Sequence, residues 1–158
     1  MKTFENFSLN PSILRALTEE GYTTPTPIQT AAIPEILAGR DLIGTAQTGT
    51  GKTAAFSLPL LETLQRRPPN RPGGIRALIL APTRELALQV ELSLRTYGRH
   101  LRFRTAAVLG GVSMHGQVQA LRQRPEILIA TPGRLLDLMN QRVVRLDQVE
   151  VLVLDEAD

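Results

Sequence analysis

Hydrophobic positions follow two rhythms along the chain. Four short runs are apolar at consecutive positions without alternation: Ala77-Leu78-Ile79-Leu80, Thr105-Ala106-Ala107-Val108-Leu109, Ile127-Leu128-Ile129-Ala130 and Val151-Leu152-Val153-Leu154. Such runs predict strands buried on both faces of a parallel sheet. Between them, residues 84–97, 113–122 and 132–141 show helical spacing. Repeated strand and helix predicts an α/β domain, a mostly parallel sheet with helices on both faces. In such sheets ligands sit at the carboxyl ends of the strands.

Upstream, Asn10-Pro11-Ser12 reads as a cap and first helical turn, Ile13, Leu14 and Leu17 as its apolar stripe, and Gly21 as its stop. Thr26 and Pro27 open a second helix, which Pro34 is expected to bend or split. Residues 66–74, Arg66-Arg67-Pro68-Pro69-Asn70-Arg71-Pro72-Gly73-Gly74, exclude regular structure and read as a solvated surface loop.

The most specific chemistry lies at Ala46-Gln47-Thr48-Gly49-Thr50-Gly51-Lys52-Thr53. The apolar run Asp41-Leu42-Ile43-Gly44-Thr45 predicts a strand leading in, and Thr53 to Leu64 a helix leading out. Strand, glycine-bearing loop, Gly-Lys-Thr and helix make the phosphate-cradling loop of nucleoside-triphosphate enzymes. Gly49 and Gly51 let backbone N–H groups turn inward, and the helix adds its positive end. Lys52 offers a compact ammonium to the outer phosphates and Thr53 a hydroxyl to Mg²⁺. Ala46 stands where the motif usually begins with glycine. Of 18 basic residues only Lys2 and Lys52 are lysine, so lysine is kept where a point charge suits phosphate better than a planar fork.

At 158 residues and 42% hydrophobic content the chain suits one domain with a sizeable core. The absence of cysteine excludes disulfides and thiolate metal sites. His100 and His115 are too few and too isolated for a zinc cluster. There is no apolar signal core and no run long enough to span a bilayer, so no membrane is expected and the chain reads as cytoplasmic. The net charge is +3, and the arginine excess behind the pI near 9.9 permits a polyanionic partner.

The last apolar run ends in Asp155-Glu156-Ala157-Asp158. An acidic residue after a buried strand, downstream of Lys52, is where a nucleotide enzyme holds Mg²⁺. Asp155 is expected to bind the metal through water, and Glu156 to orient or deprotonate the attacking water.

From Phe4 to the last residue the chain resembles the amino-terminal RecA-like domain of the DEAD-box ATP-dependent RNA helicases. Residues 21–29 resemble the family's adenine-recognition motif, with Phe4 as its upstream aromatic. The resemblance implies that Gln29 reads the adenine edge, a bidentate pairing that excludes guanine, and that Tyr22 stacks on the base. Pro82-Thr83-Arg84, Gly110-Gly111 and Thr131-Pro132-Gly133-Arg134 resemble motifs that contact the sugar-phosphate backbone of single-stranded RNA. Thr83 and Thr131 can cap helices whose N–H groups face phosphates, and Arg84 and Arg134 add charge. Residues 1–30 are thus expected to be an adenine-recognition segment and 31–158 an ATP-binding RecA-like domain.

The resemblance also implies a further strand between the phosphate-loop strand and the Asp155 strand. A second RecA-like domain carrying arginine fingers is implied beyond it. The chain is therefore expected to be a fragment, incomplete at its C-terminus and nearly inactive alone. The function implied is ATP-dependent RNA unwinding with ATP and Mg²⁺. Two alternatives stay open: a non-enzymatic ATP-dependent RNA clamp, and a DNA-directed translocase with the same phosphate loop.

Overall fold

In a computed structural model of the chain, residues 2–47 and 49–156 are described. Thr48 of the phosphate loop lies outside the described residues, as do Ala157 and Asp158. The chain divides into two units: Met1–Pro68 with Ser93–Arg102, and Pro69–Leu92 with Phe103–Asp158.

The first unit is helical. A 3₁₀ turn, Phe4–Phe7, precedes α1 (Pro11–Glu19), α2 (Pro27–Leu37) and α3 (Lys52–Arg66). The Asn10 side chain caps α1 by accepting from the Ser12 N–H at 2.8 Å, and Gly21 follows the helix at φ 79°. Helix α2 runs through Pro34 and is not split. Proline removes only its own N–H; the Ala38 N–H still reaches the Pro34 carbonyl at 3.0 Å and closes the last turn. Glu62, buried on α3, accepts from the Asn10 N–H and from Arg66 Nε, while Arg66 Nη2 donates to the Ser8 carbonyl. That cluster clips the N-terminal segment onto α3.

The expected strand over 41–45 is not formed. A strand needs a neighbour to satisfy its backbone, and this run pairs with none. Leu42 and Ile43 remain exposed, Ile43 at 95%.

The second unit holds the sheet: β1 (Ala77–Leu80), β2 (Thr105–Val108), β3 (Ile127–Ala130) and β4 (Val151–Leu154), all parallel in the order β2-β3-β1-β4. Flanking helices are α4 (Arg84–Tyr97), α5 (Met114–Arg122) and α6 (Pro132–Asn140); the division between the units runs through α4. Leu78, Ala106, Val108, Leu128 and Ala130 pack with Leu135 and Leu138 of α6, and Met114, Val118 and Leu121 of α5 join them. The central strands are buried on both faces as expected. The edge strand β4 is not: Leu152 and Leu154, alternate residues on one face, are more than half exposed. Of the stretch 66–74 expected to be irregular, Arg66 instead ends α3, and residues 67–74 contain no regular element. Among the described residues no helix is long and apolar enough to cross a membrane.

Candidate functional site

In the helical unit the phosphate loop runs directly into α3, whose first residue is Lys52 and second Thr53. Gly49 (φ 83°) and Gly51 (φ 82°) both adopt the left-handed conformation that only glycine takes without strain. The Thr50 hydroxyl donates to the Gln47 carbonyl, folding the loop back on itself. Ala46 is partly buried and Gln47 exposed. Gly51 is required for a second reason: a Cβ there would stand 2.3 Å from Gln29 Nε2 and 3.1 Å from Thr26 Oγ1.

That contact defines Gln29. Its side chain is buried; Oε1 accepts from the Thr26 N–H at 2.9 Å and Nε2 donates to the Gly51 carbonyl at 3.1 Å. Thr26 is the N-cap of α2, so one glutamine ties the start of α2 to the phosphate loop. Tyr22 is 51% exposed, and its ring lies 6.4 Å from that of Tyr97 at a 58° tilt. Burial raises the Tyr97 phenol above its usual range. The same edge is held by Arg99 on Glu20 and His100 on Glu19; the His100 hydrogen bond holds the Glu19 carboxyl below its usual range. Phe4, the upstream aromatic, lies in the core of the helical unit. It is 5% exposed, edge-on to Phe7 at 6.2 Å, because an aromatic in a short capped turn is most stable in the core.

In the sheet unit the remaining candidates meet at the carboxyl ends of the strands. Register aligns Leu80 with Ala130 and with Leu154, and Val108 with Ala130. The ladder extends one residue further. Ala81, Thr131 and Asp155 donate their N–H groups to the carbonyls of Ala130, Val108 and Leu80 at 3.0, 3.0 and 2.9 Å. Thr131 and Asp155 are therefore set by the sheet itself. Asp155 is buried, and Glu156 follows it exposed at φ 53°, a left-handed position uncommon outside glycine.

The loops after β1, β2 and β3 touch one another. Thr83 accepts from the Leu86 N–H at 3.3 Å and caps α4. Thr131 stands at the N-cap of α6 but makes no side-chain cap there; its hydroxyl accepts from the Gly110 N–H at 3.0 Å. The capping role expected for Thr131 is corrected accordingly: the glycine loop supplies a donor nearer than the helix. Gly111, at φ 74°, lies under the Arg84 guanidinium, where a Cβ would come within 3.1 Å of Nη1. Pro82, Thr83, Arg84, Gly111, Pro132 and Gly133 are exposed.

Gln117 is the residue that sequence reasoning missed. Buried on α5, it donates from Nε2 to the Leu109 carbonyl at 2.9 Å and accepts at Oε1 from Arg134 Nη1 at 3.0 Å. Arg134 Nη1 also donates to the Val112 carbonyl at 2.9 Å. The signal was present: Met114, Gln117, Val118 and Leu121 occupy one helical face, so a glutamine sits in an apolar stripe. Gln117→Leu should destabilise the chain by about 1–3 kcal/mol, the cost of leaving a buried carbonyl unbonded. A urea melt checks this through a lower midpoint at unchanged slope.

Comparison with known proteins agrees with this architecture. The DEAD/DEAH box helicase family matches residues 26–158. The chain is 47% identical over 155 residues to the "ATP-dependent RNA helicase CshA" of Limosilactobacillus reuteri, covering 98% of this chain and 30% of that protein. It is 45% identical to the "DEAD-box ATP-dependent RNA helicase CshA" of Bacillus subtilis (strain 168), covering 99% of this chain and 31% of that one. The chain thus spans about three tenths of the length of these relatives. A crystal structure of a hypothetical ATP-dependent RNA helicase from Sulfolobus tokodaii superposes with a TM-score of 0.85 at 38% identity, over 95% of this chain and 42% of that one. With the family matching most of its length, this chain belongs to the DEAD/DEAH box helicases.

Proposed function

We propose that this chain is the nucleotide- and RNA-binding portion of an ATP-dependent RNA helicase, with residues 1–30 serving adenine recognition and 31–158 forming the first of two RecA-like domains. The observation that carries the reading is the Gln29–Gly51 hydrogen bond. The residue assigned to the adenine edge is bonded to the last glycine of the phosphate loop, so base and phosphates are read by one connected element. A glutamine amide has two N–H donors and two acceptor lone pairs. Thr26 and Gly51 use one of each, leaving one donor and one acceptor for the base.

Lys52 and the first N–H groups of α3 hold the outer phosphates, and Tyr22 takes the base on its exposed ring. Thr53 at the phosphate loop and Asp155 after β4 are each assigned to Mg²⁺ binding, because each offers only oxygen donors, which suits a hard cation whose shell is otherwise water and phosphate. Mg²⁺ would supply neutralisation of the phosphate charge. Glu156 orients the attacking water and accepts its proton. At the strand ends Thr83, Arg84, Gly110, Gly111 and the Thr131–Arg134 turn hold the RNA backbone. Contacts of that kind position a strand without reading its bases. In the whole protein, closure of a second domain on the same nucleotide and RNA would bend one strand and separate a short duplex.

The test is a titration of ADP and GDP into the chain. A bidentate base contact is worth about 1–3 kcal/mol, so ADP should bind roughly 5- to 150-fold tighter than GDP. Gln29→Ala should erase that difference. Equal binding of both nucleotides by the parent chain would remove the adenine assignment and favour a different phosphate-loop enzyme.

A further inference from the structure

At the opposite end of the sheet, three segments that precede strands enclose a cavity of about 240 Å³. Arg71, Gly73 and Gly74 come from the stretch before β1, Arg124 from the turn before β3, and Arg145 from the segment before β4. Pro72, Ile75, Leu121, Pro125, Val143 and Val144 complete an apolar floor, with Asp147 and Gln148 at the side. We infer that this cavity is a second anion site, which takes a small ligand carrying a diphosphate group.

Three arginines and one carboxylate line the cavity. Asp147 is 3.9 Å from Arg145, and both are exposed, a spacing at which pairing in water is weak. Neighbouring carboxylates are engaged elsewhere: Glu150 pairs with Arg76, and Glu126 accepts from the Arg104 N–H. Planar guanidinium forks match phosphate oxygens bidentately.

The loop is shaped to hold them. A Cβ on Gly73 (φ 84°) would lie 2.9 Å from Arg124 Cδ, and one on Gly74 would lie 2.8 Å from Gln148 Cγ. Gly73 therefore permits the close approach of the Arg124 stem to the loop, and Gly74 that of Gln148. No aromatic side chain lines the cavity, so an unpaired base finds no stacking platform. Size and chemistry both favour a compact phosphorylated molecule over a nucleic-acid strand.

The experiment uses the chain carrying Lys52→Ala, so that the phosphate loop does not dominate. Sodium pyrophosphate is titrated calorimetrically at low salt into this protein and into the same protein with Arg124→Ala and Arg145→Ala. Losing two charge-assisted forks should weaken binding at least about tenfold, with Arg→Lys versions intermediate. Arg71→Ala, at an exposed position, provides a variant whose fold is not at risk and should weaken binding in the same direction. Parallel thermal melts identify variants that are folded.

An ADP titration separates the sources. ADP binding that is tighter than pyrophosphate and lost with Arg124→Ala and Arg145→Ala assigns a nucleotide, and arginine-dependent binding no tighter than pyrophosphate assigns the free diphosphate. The proposal is overturned if pyrophosphate does not bind the Lys52→Ala chain or binds equally well without the arginines. It is also overturned if the substitutions weaken a single-stranded U10 RNA while leaving pyrophosphate unchanged, which would make this surface an RNA contact.

Discussion

Gly51→Ala should damage the phosphate loop more than Gly49→Ala, although both glycines have nearly the same backbone conformation. Each substitution places an L-residue at φ near 82°, costing about 1–2 kcal/mol. At Gly49 the added methyl meets nothing within 4 Å, whereas at Gly51 it meets Gln29 Nε2 at 2.3 Å. Gln29 must then leave, which removes its bond to Gly51, or the loop must open. Overpacking of this kind costs roughly 1–3 kcal/mol more. The expected result is a loss of about 2–5 kcal/mol in urea stability for Gly51→Ala, against about 1–2 for Gly49→Ala. Adenine selectivity should fall only in the Gly51 variant. Equal losses would mean that the Gln29–Gly51 contact carries no energy.

Lys52→Ala should lower ADP affinity by roughly 10- to 150-fold, since a hydrogen bond to a charged group is worth about 1.5–3 kcal/mol. Lys52→Arg keeps the charge but replaces a compact ammonium with a planar fork. It should recover only part of the affinity. Fluorescence titration with a labelled ADP measures both. Full recovery by arginine would show that charge alone matters, and the loop's shape around Lys52 would need another explanation.

Much of this was legible in the residues. Consecutive apolar runs marked β1 to β4, because central strands of a parallel sheet need apolar side chains on both faces. The helix over 84–97 matched its apolar spacing end to end. The run at 41–45 has the same local character yet forms no strand, since a strand exists only with a partner and sequence does not display pairing. The edge position of β4 was hidden for the same reason. Proline at 34 looked like a break, but one missing N–H near the end of α2 does not stop the turn that follows. Gln29 was found through a motif, while its bond to Gly51 was not, because 22 residues separate the two in sequence. Gln117 and the arginine cavity were missed on similar grounds. Their partners come from separate loops that only the sheet topology brings together.

The central claim is that the loops after β1, β2 and β3 hold an RNA backbone. Amide chemical-shift mapping during titration with a single-stranded RNA 10-mer tests it most directly. The account predicts shifts concentrated at Thr83–Leu86, Gly110–Val112 and Thr131–Arg134, the same for two unrelated base sequences and smaller as salt rises. Shifts confined to Arg71, Arg124 and Arg145 at the other end of the sheet, or different maps for the two sequences, would contradict it.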